Sequence, residues 1–186
     1  MEEEFETQVL DIDKDGILAS LRKLGAKEEP EVLQRRWVFD ISPCMTESTG
    51  EWVRLRQVGE RKPTITYKNK SGKGLTETEE IEFEVTDFDK ASKLFSKLPF
   101  AGKYYQENKR IRFDLDNIEF TIDSWPMIPP YLEIEAKSEA DVKKGLKLLG
   151  LEGKDAGHNG TLTIYKHYGI DLHSIKELTF KTKNPA

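Results

Sequence analysis

The chain has 186 residues, enough for one domain with a full core, and 34% of them are charged against 37% hydrophobic. A formal net charge of −5 excludes nucleic-acid binding driven by overall positive charge. Cys44 is the single cysteine, which excludes an intrachain disulfide and fits a reducing compartment. The start, Met1-Glu2-Glu3-Glu4, lacks the basic residues and apolar stretch of a signal peptide, and no apolar run approaches the ~18 residues of a membrane span. The expectation is a single cytoplasmic domain over residues 1–180 with a frayed tail at 181–186, and with neither membrane nor nucleic acid as partner.

Taken in chain order, the pattern alternates strands with a few helices. A strand over Glu4–Leu10 precedes a helix after Asp13, where Ile17, Leu18, Leu21 and Leu24 recur at helical spacing before Gly25. Strand-like runs follow at Leu33–Ile41, Glu51–Val58, Thr64–Lys68 and Glu79–Val85. Thr49-Gly50 and Ser71-Gly72-Lys73-Gly74 signal hairpin turns. A second helix is predicted after Asp87, through Phe88, Ala91, Leu94, Phe95 and Leu98, ending at Pro99. Further strands are read at Lys109–Leu115, Ile118–Asp123 and Tyr131–Lys137, the first two joined by an Asp116-Asn117 turn. Ser138 with Asp141 forms a capping box for a third helix through Val142, Gly145, Leu146 and Leu149. Short helices are predicted over Thr161–Tyr168 and Leu172–Leu178. Eight strands with few helices make an α+β pattern, and a closed barrel would remove the edge strands.

Along a strand, residues i and i+2 share a face. Glu4, Glu6 and Gln8 therefore share one. Arg54 and Arg56 lie opposite Val53 and Leu55, and Thr64, Thr66 and Lys68 lie opposite Ile65 and Tyr67. Glu80, Glu82 and Glu84 lie opposite Ile81, Phe83 and Val85. Arg110, Arg112 and Asp114 lie opposite Ile111, Phe113 and Leu115, and Glu133 with Glu135 opposite Leu132 and Ile134. Two arrangements fit this alternation: a sheet with its charged face in water, or a barrel with that face turned inward. The single-sign pairs favour the second, because solvated faces usually mix signs. Turned inward, the carboxylates suit a hard divalent cation and the arginines suit phosphate oxygens.

Glu4-Phe5-Glu6-Thr7-Gln8 resembles the E-x-E-x-K signature of the CYTH (triphosphate tunnel metalloenzyme) family, which includes class IV adenylate cyclases, thiamine triphosphatases and inorganic triphosphatases. In order, Arg54-Leu55-Arg56, Thr66-Tyr67-Lys68, Glu80-Ile81-Glu82, Lys109-Arg110-Ile111-Arg112, Ile122-Asp123 and Tyr131-Leu132-Glu133-Ile134-Glu135 resemble its later strands, so the likeness runs from residue 4 to about 170. It implies a closed eight-stranded antiparallel tunnel with helices outside. It implies that Glu4, Glu6, Asp123, Glu133 and Glu135 bind Mg²⁺ or Mn²⁺. It also implies that Gln8, Arg54, Arg56, Lys68, Arg110, Arg112 and Lys166 hold a triphosphate, with Glu80 and Glu82 in support. The implied partner is inorganic triphosphate, thiamine triphosphate or ATP. Gln8 stands where the family has lysine, and losing a charge-assisted hydrogen bond there costs on the order of 1.5–3 kcal/mol.

Three activities stay open: a metal-dependent triphosphate hydrolase, a class IV adenylate cyclase that makes cAMP and pyrophosphate from ATP, and a polyphosphate- or nucleotide-binding module with little turnover. No residue is singled out as the catalytic one. His158, His167 and His173 have no metal-ligand spacing and read as surface or structural. Gly72-Lys73-Gly74 lacks the strand-to-helix setting of a P-loop, and Trp37, Trp52 and Trp125 read as packing residues.

Overall fold

The structure is a computed structural model that describes residues 5–41, 50–70 and 78–181. Glu4, the Ser71–Gly74 turn, Thr49 and residues 182–186 lie outside the described residues. In chain order the strands are β1 (Phe5–Val9), β2 (Lys27–Glu28), β3 (Val32–Asp40), β4 (Gly50–Val58), β5 (Thr64–Lys70), β6 (Thr78–Glu84), β7 (Gly102–Leu115), β8 (Ile118–Ser124), β9 (Tyr131–Ala136) and β10 (Glu177–Leu178). The helices are α1 (Lys14–Lys23), α2 (Phe88–Ser96), α3 (Glu139–Leu148) and α4 (Thr161–His167). The result is an antiparallel, sheet-rich α+β fold. None of these helices is long and apolar enough to cross a membrane.

The chain divides into two compact units, Met1–Val32 with Lys109–Ile164, and Leu33–Asn108 with Tyr165–Ala186. In the first unit the strand order is β1-β9-β8-β7, with β2 added to β7. The hairpin β7–β8 closes on Asp116, which takes φ 55°, the left-handed conformation that tight hairpin turns demand and Asp tolerates. Alternation along these strands sends Ile111, Phe113, Phe120, Ile122, Leu132 and Ile134 into a core covered by α1 and α3. Asp13 caps α1 by accepting from the Gly16 amide, and Ser138 caps α3 by accepting from the Asp141 amide. A Cβ on Gly145 would lie 2.9 Å from Ile134 Cγ2. The missing side chain thus lets α3 settle directly on β9.

In the second unit the order is β7-β3-β4-β5-β6, with β10 paired in parallel to β7 at Tyr105 and Gln106. Phe39, Leu55 and Phe88 form its buried centre, with Trp37, Val53, Ile65, Phe95 and Phe100 packed around them. Asp87 caps α2 through the Lys90 amide.

Several expectations change here. No ladder among the described residues joins β1 to β6, so the pairing does not show the closed eight-stranded barrel. The edge of the second unit is β6, whose Glu79, Glu80, Glu82 and Glu84 make a poor surface for adding a strand. Its apolar residues Ile81 and Phe83 are 52% and 55% exposed rather than buried. The helix expected over Leu172–Leu178 is only a 3-10 turn, Leu172–Ser174, capped by Asp171. Beyond it the backbone extends to pair as β10, satisfying its polar groups on β7 instead of within so short a helix. β7 itself starts at Gly102, seven residues before the expected Lys109.

Candidate metal and phosphate site

In the first unit, β9 lies between β1 and β8, so side chains on one face meet in rows across three strands. Glu6 pairs with Glu135 and Gln8 with Glu133, and Glu133 and Glu135 share a face by alternation. The Glu6, Glu133 and Glu135 carboxylates each place an oxygen within 4.8 Å of the others. Oxygen-only anionic donors at this spacing fit a hard divalent cation such as Mg²⁺ or Mn²⁺.

Asp123 occupies a different position. It is 1% exposed, and Arg110 holds it with a two-pronged bond, Nε donating to Oδ1 at 2.8 Å and Nη2 to Oδ2 at 2.6 Å. The same Nη2 reaches Glu133 Oε1 at 3.4 Å. Burial alone would lower the pKa of Arg110, but its bonds to Asp123 and the charges of Asp123 and Glu133 hold it above the ordinary value. Burial pushes the Glu133 carboxyl up, opposed by Arg110 and Gln8 and reinforced by Asp123 and Glu6. Arg112 is likewise engaged, with Asp114 at 2.7 Å and Glu119 at 2.9 Å.

Gln8 is 3% exposed, and every polar atom of its side chain is bonded within the unit. Nε2 donates to Glu133 Oε2 and to the Asn159 carbonyl, both at 3.0 Å, and Oε1 accepts from the Asn159 amide at 3.1 Å. His158 Nδ1 lies 2.6 Å from Glu6 Oε1. The sequence reading passed over His158, because no local spacing links it to a residue on β1.

In the second unit the rows run across β3, β4, β5 and β6. Val38, Arg54, Thr66 and Glu82 align, and so do Arg36, Arg56, Thr64 and Glu84. Arg54 donates to Thr66 Oγ1 at 3.4 Å, the fully buried Thr66 hydroxyl donates to Glu82, and Arg54 lies 3.9 Å from Glu82. Lys68 pairs with Glu80 at 2.9 Å. Arg56 Nε is buried with no hydrogen-bond partner among the described residues, a donor suited to an anion.

Arg36 joins this face although the sequence reading did not select it. It neighbours Arg56 across the ladder and donates from Nη2 to Asn108 and Gln34. The Arg35-Arg36 doublet hides it, since one of two adjacent arginines must point each way. Arg35 turns to the opposite face, with Gln57, Asp89 and the Phe88 ring. Tyr165 on α4 is fully buried, and burial raises its phenol pKa while the charge of Arg36 opposes the rise. Lys166, next along α4, is exposed.

A CYTH domain model matches residues 2–158 of the chain. The chain is 30% identical over 149 residues to a Methanocaldococcus jannaschii protein named Putative adenylate cyclase MJ0240, covering 78% of this chain and 83% of that one. Among solved structures, a conserved hypothetical protein of Pyrococcus furiosus shares the fold with a TM-score of 0.67 at 22% identity, over 87% of this chain and 99% of the other. The Hippeastrum protein HpAC1, described as having a dominant triphosphatase activity, does so with a TM-score of 0.59 at 16% identity, over 91% and 96%.

Proposed function

Because the chain belongs to the CYTH domain family, we propose that it is a metal-dependent enzyme hydrolysing a phosphoanhydride of an inorganic or organic triphosphate. The observation that carries the reading is the meeting of Glu6, Glu133 and Glu135 within 4.8 Å. These residues hold Mg²⁺ or Mn²⁺, and the bound cation supplies charge neutralisation for phosphoryl oxygens. Arg110, fixed by the buried Asp123, steadies Glu133 from one side while Gln8 steadies it from the other. Arg36, Arg54, Arg56 and Lys68 hold phosphate oxygens through charge-assisted hydrogen bonds. Glu80 and Glu82 orient Lys68 and the Arg54–Thr66 pair. In such a reaction the protein's own contribution is mostly positioning and electrostatic stabilisation.

A second reading, cyclisation of ATP to cAMP and pyrophosphate, is favoured by the name of the M. jannaschii relative. The two separate on products. The protein is incubated with inorganic triphosphate, thiamine triphosphate and ATP, each with Mg²⁺ or Mn²⁺. Orthophosphate released from a triphosphate supports hydrolysis, and cAMP with pyrophosphate supports cyclisation. Binding of all three with no product would leave a binding module and end the enzymatic reading.

A further inference from the structure

Segment 156–159 is tied to one residue of β1 by both its backbone and its side chain. The Ala156 amide donates to the Gln8 carbonyl at 2.7 Å, and the Gln8 amide donates to the Gly157 carbonyl at 3.1 Å. The Gln8 side chain then takes both backbone groups of Asn159, accepting from its N–H and donating to its carbonyl. Asn159 closes the segment on itself by donating from Nδ2 to the Ala156 carbonyl at 2.8 Å. Between these ties sits His158, with Nδ1 at hydrogen-bond distance, 2.6 Å, from Glu6 Oε1.

An amide does here what an ammonium cannot. It accepts and donates at once, which is what a backbone N–H and C=O presented side by side demand. A lysine at position 8 offers donors only and would leave the partly buried Asn159 N–H without this acceptor. The residue that departs from the E-x-E-x-K pattern is therefore the one that builds the clamp. The clamp ends on a member of the acidic cluster.

Resting on the reading of Glu6, Glu133 and Glu135 as a cation site, we infer that Gln8 and His158 are positioning residues. Gln8 fastens segment 156–159 to β1 so that His158 holds one oxygen of Glu6, and Gln8 itself holds one oxygen of Glu133. Each carboxylate is thereby fixed in rotamer by a donor on one of its oxygens, and Arg110 lies 3.4 Å from the other oxygen of Glu133. Outer partners of this kind orient metal-binding groups, and their loss typically costs 10–100-fold in metal affinity.

The test is Mn²⁺ affinity, read by calorimetry and by the Mn²⁺ paramagnetic resonance signal, on wild type and variants. His158→Leu should weaken Mn²⁺ binding about tenfold, and His158→Asn, whose amide can donate from near the Nδ1 position, should stay within about threefold of wild type. Gln8→Met should weaken binding as well, and hydrogen exchange at Ala156 and Asn159 should speed up. In the Gln8→Met background, adding His158→Leu should cost little more, because the segment is already released. Unchanged Mn²⁺ affinity in His158→Leu, equal losses in His158→Leu and His158→Asn, or fully additive losses in the double variant would each overturn the positioning role. Should Gln8→Met fail to fold, the two His158 variants decide the matter alone. A wild-type protein that binds no Mn²⁺ would instead remove the cation site on which the inference rests.

Discussion

Arg110 and Asp123 face each other across the β7–β8 ladder and are joined by two hydrogen bonds of 2.8 and 2.6 Å, with the carboxylate 1% exposed and the guanidinium 30% exposed. The two partners differ in what they leave behind. Arg110→Ala strands a buried carboxylate without its guanidinium, whereas Asp123→Ala leaves an arginine that still reaches Glu133 and water. Arg110→Ala should lower stability by about 3 kcal/mol, near the low end for a broken buried pair, and Asp123→Ala by less. Urea denaturation of both variants measures the difference, and equal losses would contradict the asymmetry.

Glu133 gives a pH signature of opposite sign to most surface acids. Burial holds its carboxyl above the ordinary 4.5, so the folded state binds that proton more tightly than the unfolded chain. Its contribution to stability is present below 4.5 and is lost as pH rises through the raised value. Glu133→Gln should therefore raise the melting temperature of the cation-free protein near about pH 7, with the gain fading by about pH 4. A constant difference at all pH values would exclude this cause.

Cation binding should collapse with the cluster that supports it. Glu6→Ala and Glu133→Ala should each weaken Mn²⁺ binding at least tenfold, about 1.4 kcal/mol, in a calorimetric titration. Wild-type affinity in both variants would rule the cluster out as the cation site.

Arg35 and Arg36 supply an internal control on the second unit. Arg36→Ala removes a guanidinium from the face of Arg54 and Arg56, and should weaken inorganic triphosphate binding roughly 10–100-fold, the equivalent of one charge-assisted hydrogen bond. Arg35→Ala disturbs only the opposite face and should leave that affinity within about threefold. The same pair of titrations, with the order reversed, would show that the rows had been assigned to the wrong faces.

Much of this was legible in the sequence because strands and helices announce themselves by period and cap. Asp13, Asp87 and Ser138 mark three helix starts, and the alternation around Arg54, Arg110 and Glu133 places the charged side chains on shared faces. Partnership across the fold was less legible. Alternation says that Arg110 lies on a charged face, but not that Asp123 grips it with both oxygens. The Gln8–Asn159 bonds join residues 151 positions apart, and no periodicity reports such a pairing. β10 escaped notice because its two residues have no pattern of their own and become a strand only where β7 offers them an edge.

The discontinuity of the first unit has a consequence for how the chain is made. Gln8 precedes Glu133 by 125 residues and Asn159 by 151. At a synthesis rate of ~5–20 residues per second, β1 waits roughly 6–25 s for Glu133. During that interval β4, β5 and β6 emerge as consecutive neighbours and can pair locally, with low contact order. β1 thus emerges well before the partners that secure it, Glu133 and Asn159. Protease digestion of stalled nascent chains should find β1 cleavable in a chain that stops before Tyr131, and protected only once Asn159 has cleared the exit tunnel.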